Sequence, residues 1–258
     1  MKPKELETLY DEYLQEVGEK EYEEKYGKIE ESDTTWFNVS KAGSCMFQHV
    51  RKVSGKIEKV FKTNPKSRRN MRLGTLAHND LQEAIKSKLK SDDTVITMIE
   101  EKTESKKFNT RGPLDFGRLY IAEKTAFFYD FKTIGSYPYT KKFGLLKNRE
   151  KNPSLSHEYQ ITTYALSKEE ELGIVIEKLY ILYIKKDDGT WKSIEFPLSK
   201  YREEVIKYWE DVNKLKEELK DEDLNEIDPL LLPSSPTQEW ECKYCSYSKG
   251  CLSPFRKE

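Results

Sequence analysis

The sequence predicts an α/β fold in which a mainly mixed β-sheet is flanked by helices. Runs of aromatic and β-branched residues occur in two pairs, and a short polar turn joins the members of each pair. Apolar residues at helical spacing occur before, between and after these pairs. The chain has 258 residues, which is enough for one large domain with a small appendage.

The N-terminal third of the chain is predicted to be mostly helical. Residues 4–30 and 67–90 each place apolar side chains on one helical face, at mostly three- and four-residue spacing. A short apolar stretch at 36–39 lies between these helices and leads to Cys45. We therefore assign residues 1–66 to an N-terminal helical segment that carries one cysteine.

The middle of the chain predicts the sheet and the helices that cover it. The first strand pair turns at 122–124 without the favoured Asn-Gly sequence, and the second pair turns at 187–189, which ends in glycine. We assign residues 67–228 to one core domain. In chain order, the predicted elements after its first helix are the strands 95–99, 114–121 and 125–133, a loop at 135–154, the helix 155–171, the strands 174–184 and 191–197, and the helix 201–220.

Charge is segregated along the chain, although the formal net charge is only −1. Residues 1–33 carry twelve acidic residues against five lysines, and residues 203–228 carry eleven against four. Segregation of this kind can create a basic groove on a nearly neutral protein, and ordinary solvated faces are the alternative interpretation. The two basic clusters are 51–72, with Arg51, Lys52, Lys56, Lys59, Lys62, Lys66, Arg68, Arg69 and Arg72 against Glu58, and 141–151, with Lys141, Lys142, Lys147, Arg149 and Lys151.

Neither a membrane span nor a secretion leader is predicted. No run of roughly 18 apolar residues occurs, and the acidic, amphipathic N-terminus has no apolar segment behind a basic start. We therefore expect a cytoplasmic location without a membrane partner, in a compartment where disulfide bonds are rare.

Four short polar fragments stand out once the strands and helices are placed. Taken singly, each has an ordinary interpretation as a helix residue, a turn former or a strand residue. All four fragments in this order and at this spacing arise by chance far more rarely than any one of them alone. The fragments are Gly74-x-x-x-His78 in the second helix, Gly112-Pro113-Leu114-Asp115 at the start of a strand, Asp130-Phe131-Lys132 on the returning strand, and Gln160-x-x-x-Tyr164 in the next helix.

The strand pairing predicts that two carboxylates converge. Asp130 and Lys132 are two residues apart and share one face of a strand, and a tight turn returns the chain so that Asp115 and Asp130 lie at the same end of the sheet. Two carboxylates on one polar face are costly unless a cation lies between them, and oxygen ligands suit Mg²⁺ or Mn²⁺. An imidazole ligand from His78 shifts the preference toward Mn²⁺.

A site of this composition suits the hydrolysis of phosphodiester bonds. That reaction needs a metal that stabilises charge and acidifies a bound water, and it needs a cation such as Lys132 beside that water or the phosphate oxygens. Gln160 and Tyr164 lie on one helical face, from which they could contact the phosphate or the scissile strand.

In this order the fragments resemble the motifs of the PD-(D/E)xK nuclease superfamily, in particular its RecB-like branch. The resemblance covers residues 74–164 and implies a restriction-endonuclease-like core. The acid of the triplet is Asp here, and family members carry either acid. The implied metal residues are His78, Asp115 and Asp130, with Phe131 assigned to the same centre, and the implied catalytic residues are Asp115, Asp130, Lys132, Gln160 and Tyr164.

The four cysteines are predicted to bind a metal rather than to form disulfides. Cys45 stands alone, whereas Cys242, Cys245 and Cys251 form a C-x₂-C-x₅-C pattern behind a proline-containing linker at 229–236. One thiolate from the N-terminal segment and three from the tail can bind a [4Fe–4S] cluster or Zn²⁺, and residue chemistry leaves both open.

This cysteine arrangement resembles that of Cas4-like and AddB-type iron–sulfur nucleases. The resemblance implies a [4Fe–4S] cluster, with zinc as the alternative, in a cysteine-rich tail at 229–258 that is clasped onto the N-terminal segment. The entropy of closing so long a loop grows only slowly with its length, and metal bonds can outweigh it. Replacing any one cysteine with alanine is therefore expected to loosen the tail and weaken DNA binding.

The predicted function is that of a Cas4-like DNA exonuclease or end-processing nuclease, which acts on single-stranded DNA or duplex ends. The resemblance implies Cas1 and Cas2 as partners, and replication or recombination proteins of a mobile element are the other option. Tyr137 and Tyr139, with Lys141 and Lys142, could contact a single strand by stacking and charge. A non-catalytic iron–sulfur DNA-binding module and an RNA-processing nuclease with the same site are the alternatives.

Overall fold

The structure is a computed structural model that describes residues 3–26, 35–55, 64–89, 92–143, 155–232, 239–248 and 250–255. Within these ranges the helices are α1 (Pro3–Tyr26), α2 (Met46–Val53), α3 (Pro65–Lys88), α4 (Ser136–Phe143), α5 (Leu155–Leu172), α6 (Arg202–Glu218) and α7 (Glu239–Tyr244). The strands are β1 (Phe37–Asn38), β2 (Val95–Ser105), β3 (Thr110–Tyr120), β4 (Thr125–Ile134), β5 (Val175–Lys185) and β6 (Trp191–Pro197). In the described part of the chain, no helix is both long enough and apolar enough to cross a membrane.

The strands form one mixed six-stranded sheet, so the predicted α/β fold with a central sheet and flanking helices is confirmed. Pairing is antiparallel between β2 and β3, between β3 and β4, and between β5 and β6. β4 and β5 pair in parallel, and the chain between them passes through α4 and α5. A parallel pair requires such a crossover, because a tight turn can join only antiparallel strands.

The hydrophobic core lies between the sheet and the helices α5 and α6. Phe128 of β4 and Leu179 of β5 are fully buried in it. Trp209 of α6 is also fully buried, and its indole N–H donates to the Thr163 hydroxyl of α5 over 2.9 Å. Burial of each such side chain stabilises the fold by about 1.5–3 kcal/mol, so α5 is held firmly against the strands that carry the polar fragments.

β3 has a gap in its pairing on the edge that faces β4. β1 pairs with residues 110–111 and β4 pairs with residues 116–120. β2 pairs with β3 along the whole of one edge, so β1 and β4 both pair with the other edge of β3. Residues 112–115 of β3 lie between these two partners on that edge. Pro113 has no N–H that would need a partner in this gap. Asp115 lies at the β4 end of the gap.

Most predicted elements are present, with ends that differ by a few residues. The strand predicted at 95–99 continues to Ser105, because its second half also alternates between buried and exposed positions. The predicted loop at 135–154 is wrong in its first part, which forms α4, and residues 144–154 lie outside the described ones. Pro138 suggested a loop, yet proline is tolerated in the first turn of a helix. The short helices α2 and α7 are not predicted by the sequence pattern.

The basic segment 51–72 does not form one continuous basic surface. Arg51 is fully buried, and Arg69 of α3 donates to Asp11 and Glu7 of α1 over 2.7–2.8 Å. The hydrogen bond from Arg69 lowers the pKa of Asp11. The acidic α1 therefore neutralises part of α3, and a basic groove that includes these two arginines is excluded. Lysines 56, 59, 62, 147 and 151 and arginine 149 lie outside the described residues.

Candidate active site

Asp115 and Asp130 lie opposite each other at the point where β3 and β4 separate. Phe116 and Tyr129 are the last paired residues, and Asp115 and Asp130 would be next in the same register. The Asp115 carboxylate instead accepts the N–H of Phe131 over 2.7 Å. A side chain thus replaces a main-chain bond between the strands. The two carboxylates face each other as predicted, but they lie in the middle of β3 and β4 rather than at the start of a strand and one end of the sheet, because β3 already begins at Thr110.

Lys132 and Gln160 hold the Asp130 carboxylate from two sides. Lys132 Nζ lies 2.8 Å from Oδ1 and 2.7 Å from Oδ2 of Asp130. Gln160 of α5 donates to the same Oδ1 over 3.1 Å, and its amide oxygen accepts from Lys132 Nζ over 3.1 Å. Three of the predicted site residues therefore form a closed triangle, which fixes the position of the ammonium group.

Asp130 is a buried carboxylate whose second oxygen is incompletely satisfied. The residue is 1% exposed, and Oδ2 accepts no hydrogen bond of proper geometry from the described residues, although Lys132 Nζ is 2.7 Å away. Burial raises the pKa of Asp130 to about 6, the charge of Lys132 opposes this rise, and the charge of Asp115 adds to it. An ionised carboxylate in this position would gain from a further positive partner.

His78, Glu100 and Asp115 form a second group beside this triangle. They come from α3, β2 and β3, and one possible ligand atom of each lies within 4.8 Å of the others. The ring nitrogen Nδ1 of His78 is 3.9 Å from Asp115 Oδ1. Burial lowers the pKa of His78, the charge of Lys132 lowers it further, and a hydrogen bond to the Phe131 main chain acts in the opposite direction. A lowered pKa keeps the imidazole neutral, which is the form that binds a metal.

Phe131 takes part in the site only through its main chain. Its ring is buried, meets the His78 ring edge-on at 6.0 Å and stacks with Phe116 at 6.4 Å. An aromatic ring offers no oxygen or nitrogen donor to a hard cation. The assignment of Phe131 to the metal centre can therefore concern its main-chain atoms alone, which contact both His78 and Asp115.

Glu100 is the member of this group that the sequence motifs do not contain. Its backbone is left-handed, with φ +52°, and Gln82 of α3 donates to its Oε1 over 2.8 Å. Met98 and Thr103 are both buried although they are five residues apart, so the alternation of β2 changes phase between them. The adjacent acids Glu100 and Glu101 inside a strand pattern are the sequence signal that could have revealed this site residue.

Gly74 allows α3 to approach the sheet closely. A β-carbon at this position would lie 3.1 Å from Thr133 Oγ1 of β4, which is tighter than ordinary packing. His78 follows one helical turn later on the same side. The glycine of the predicted fragment is therefore explained by the close approach that brings His78 to the carboxylates.

Tyr164 supports β3 from the α5 side. The residue is buried, and a β-carbon on Gly112 would lie 3.0 Å from its hydroxyl oxygen. Tyr164 and Gln160 share one face of α5 as predicted, but the first packs against the Gly112 end of the pairing gap and the second reaches Asp130.

Tyr137 and Tyr139 are predicted to lie in a loop and to stack on a nucleic acid strand, but both belong to α4. Tyr139 is buried in α4 and packs on Phe143, so a role for it in stacking on a nucleic acid strand is excluded. Lys142 lies 4.7 Å from the ring centroid of Tyr183, and burial lowers the pKa of this lysine. The Tyr137 side chain is 75% exposed and is accessible for such stacking.

All four cysteines line one cavity between α2 and the C-terminal tail. The part of this cavity that can hold the centre of a water-sized sphere is about 20 Å³. Cys45 immediately precedes α2. Cys242 lies in α7, and Cys245 and Cys251 follow in the tail. The predicted convergence of one upstream and three C-terminal cysteines is therefore present.

Two hydrogen bonds join the tail to α2 at this cavity. The Glu241 carboxylate accepts the main-chain N–H of Cys45 over 3.0 Å. The side-chain amide of Gln48 donates to Cys245 Sγ over 3.1 Å. Residues almost 200 positions apart in the chain are thus held together at the cysteines.

The sulfur atoms surround the cavity rather than meet at one point. Among the described residues, no three cysteine sulfurs lie within 4.8 Å of one another. In a tetrahedral zinc site with Zn–S bonds of about 2.3 Å, the sulfurs are roughly 3.8 Å apart. At least some of these sulfurs therefore lie farther apart than in a zinc-loaded site.

Comparison with known proteins gives no family assignment. No family model and no curated protein matches the chain. The crystal structure of SSO0001 is 18% identical, with a TM-score of 0.48, and the alignment covers 96% of this chain and 97% of that one. A "putative exonuclease" from Eubacterium rectale is 14% identical, with a TM-score of 0.40, and the alignment covers 75% of this chain and 84% of that one. At these levels of identity and superposition, neither structure assigns an activity to this chain.

Proposed function

We propose that this protein is a metal-dependent DNA nuclease that hydrolyses phosphodiester bonds. The observation that carries the proposal is the pair Asp115 and Asp130, two buried carboxylates that lie opposite each other where their strands part, beside the ammonium group of Lys132. The charge of Asp115 raises the pKa of Asp130, so the two carboxylates destabilise each other unless cations compensate them. A fold that retains such a cost where two of its strands separate is typical of a functional site.

The residues present fit a divalent cation with oxygen ligands. Asp130 offers a buried oxygen that accepts no hydrogen bond of proper geometry from the described residues, although Lys132 Nζ lies 2.7 Å away. His78, Glu100 and Asp115 offer further donor atoms in one small group. These four side chains would hold the cation, with the main chain of Phe131 beside them. Carboxylates suit Mg²⁺ or Mn²⁺, and one imidazole favours Mn²⁺.

The surrounding side chains are arranged for attack of water on a phosphodiester. A bound divalent cation would stabilise charge on the phosphate and lower the pKa of a water molecule. Asp130 and Gln160 hold Lys132 in place, so its ammonium group can orient the attacking water and balance charge on a non-bridging phosphate oxygen. Gln160 bonds both Asp130 and Lys132, which fixes their relative orientation.

For the cysteine site we propose a [4Fe–4S] cluster, with zinc as the alternative. Four thiols that line one cavity, with some sulfurs farther apart than in a zinc-loaded site, support the cluster. Its role would be to fasten the tail to α2. The same arrangement supports the finer proposal of a Cas4-like nuclease that acts on single-stranded DNA or duplex ends, with Cas1 and Cas2 or mobile-element proteins as partners.

The nuclease proposal is tested with labelled single-stranded DNA, duplex DNA and RNA in the presence of Mn²⁺, Mg²⁺ or EDTA. We expect the wild-type protein to degrade DNA only with a divalent cation. Lys132→Ala should reduce the rate roughly 100-fold or more, because a preorganised donor at the reacting phosphate is lost. Lys178→Ala is the matched control: this β5 lysine is exposed and paired with Glu195, so its removal should leave the rate unchanged.

The outcomes separate the alternatives. If the wild type cuts no substrate, or if Lys132→Ala cuts as fast, the proposal is wrong. Cleavage of RNA alone would identify an RNA-processing nuclease, and DNA binding without cleavage would identify a non-catalytic module. Circular dichroism of both variants shows whether they are folded, which Lys132→Ala must be for its loss of activity to count.

A further inference from the structure

Arg51 is a fully buried cation in the wall of the cysteine cavity. The residue lies on α2, is 1% exposed, and lines the same cavity as the four cysteines. Its guanidinium donates to the Leu224 carbonyl over 2.6 Å and to the Asn225 side-chain oxygen over 3.3 Å, and it lies 5.4 Å from the ring centroid of Phe47. The charged end is therefore held in one place beside the thiols.

The thiols are major electrostatic partners of this guanidinium. Burial lowers the pKa of Arg51, and the sulfurs of Cys251 and Cys245 act against this more strongly than the carboxylate of Asp223, with Cys45 next in order. An arginine stays protonated in proteins, so the cavity wall carries a permanent positive charge. A buried charge is costly, and the cost falls when an opposite charge is placed next to it.

A metal-loaded cysteine site supplies that opposite charge. Four thiolates carry more negative charge than the positive charge of Zn²⁺ or of an oxidised [4Fe–4S] core, so the loaded centre is an anion in a partly enclosed cavity. We propose that Arg51 is the built-in counter-charge of the loaded cysteine site. Arg51 thereby determines how firmly the metal is retained and, for an iron–sulfur cluster, how easily the cluster accepts an electron. The inference rests on the proposed metal binding by the cysteines and is independent of the nuclease site.

A purely structural role for Arg51 makes a different prediction. Arg51 also fastens residues 224–225 to α2, and loss of those hydrogen bonds alone would lower stability without changing the metal. A counter-charge instead changes the metal centre itself. Reduction adds an electron to an already negative cluster, so removal of a neighbouring positive charge should shift its midpoint potential to more negative values.

The test compares Arg51→Met, Arg51→Gln and Arg51→Lys with the wild type, all purified anaerobically as the full chain. Iron, sulfide and zinc per chain are measured first, then the rate of metal loss to a chelator, then the midpoint potential by optical titration. We expect Arg51→Met and Arg51→Gln to retain metal roughly 10- to 100-fold less well, the range seen when groups that support metal ligands are removed. Arg51→Lys should stay close to the wild type because it keeps the charge.

Lys52→Met is the matched control. Lys52 is the next cation on α2, but its ammonium group donates to the Trp36 carbonyl and to Asn38, and none of these three residues lines the cysteine cavity. Its removal should leave metal content and potential unchanged. If Arg51→Met loses metal at the wild-type rate and has the wild-type midpoint potential, the inference is wrong. Should Arg51→Met fail to fold, equal retention by Arg51→Lys and Arg51→Gln also overturns it.

The same measurements separate this inference from the proposals on which it rests. A wild-type protein that binds neither iron nor zinc overturns both the cysteine metal site and the role of Arg51. The nuclease proposal is decided separately by the cleavage assay with Lys132→Ala, because the metal retained by the cysteines is measured without any nucleic acid.

Discussion

Glu100 is the residue that joins β2 to the carboxylate site. Its left-handed backbone interrupts the alternation of the strand, and Gln82 and the His78–Asp115 pair lie around its carboxylate. A non-glycine residue with positive φ costs on the order of 1–3 kcal/mol, and such strain is concentrated at functional sites. This geometry makes Glu100 a candidate metal ligand alongside His78 and Asp115 of the sequence motifs.

Glu100→Gln tests that role. The substitution keeps the size of the side chain and its ability to bond Gln82, but it removes a negative charge from the metal group. We expect Mn²⁺ affinity, measured by calorimetry, to fall roughly 10- to 100-fold, and the stabilisation of the protein by Mn²⁺ to fall with it. Glu104→Gln is the control, since Glu104 lies on the same strand and pairs with Lys102. Equal Mn²⁺ affinity in wild type and Glu100→Gln would remove Glu100 from the site.

At the level of elements, one buried histidine joins α2 to α6 and to the chain before α2. His49 Nε2 lies 2.8 Å from the Tyr208 hydroxyl and 3.1 Å from the Lys41 carbonyl, and its ring meets Trp209 edge-on at 5.2 Å. Burial lowers the pKa of His49 to about 3. The histidine is therefore neutral in the folded state at every pH near neutrality.

This burial makes the packing of α2 dependent on pH. The unfolded chain has a histidine pKa of about 6.5 and binds a proton that the folded state excludes. The stability that His49 contributes is complete above that pH, and it is lost as pH falls toward 3. The expected slope is about 1.4 kcal/mol of unfolding free energy per pH unit. His157, whose pKa burial also lowers to about 3, adds to the dependence in the same direction.

His49→Gln should flatten the pH dependence of stability. Glutamine can accept or donate the same hydrogen bonds without titrating, so urea unfolding at pH 7 and pH 5.5 should show a smaller loss of stability than in the wild type, by about 1.4 kcal/mol. Tyr208→Phe removes the partner hydroxyl but keeps the imidazole, and it should retain the wild-type dependence. Parallel curves for wild type and His49→Gln would contradict the role of His49.

At the scale of the whole molecule, the cysteine cavity connects α2 to the C-terminal tail. Cys45 immediately precedes α2, and Cys242, Cys245 and Cys251 belong to the tail. A contact across almost 200 residues costs more loop entropy than a local one, but the cost rises only with the logarithm of the length. The hydrogen bonds of Glu241 and Gln48 hold the tail against α2, and metal bonds would add to them.

Cys245→Ala should loosen this connection. Loss of one thiol removes a metal bond and the acceptor for Gln48, so we expect a lower melting temperature, loss of the brown colour of an iron–sulfur protein and weaker DNA binding. Lys243→Ala is the control, because this residue is exposed in α7 and its removal should change none of the three properties. A Cys245→Ala protein that keeps both its melting temperature and its colour would refute the proposal that a bound metal holds the tail against α2.

Local signals explain which parts of the fold the sequence predicts. Alternating apolar residues and polar turns fix β3, β4, β5 and β6, because these patterns depend on neighbours a few residues away. α4 is missed since its proline falls in the first helical turn, where proline is tolerated. α2 is missed because its eight residues are fewer than the roughly 11–18 over which helical periodicity is usually recognised, although Met46, Phe47, Val50 and Val53 lie at helical spacing.

The sequence by itself determined the order of the polar fragments, the type of chemistry they suit and the number of cysteines that could share a metal. Only the tertiary structure decided that Glu100 belongs to the carboxylate group, that Tyr139 is buried, and that Arg51 lies inside the protein beside the cysteines. The physical reason is that residue type and spacing fix the local conformation of each element. Burial and convergence depend on how elements far apart in the chain pack against one another.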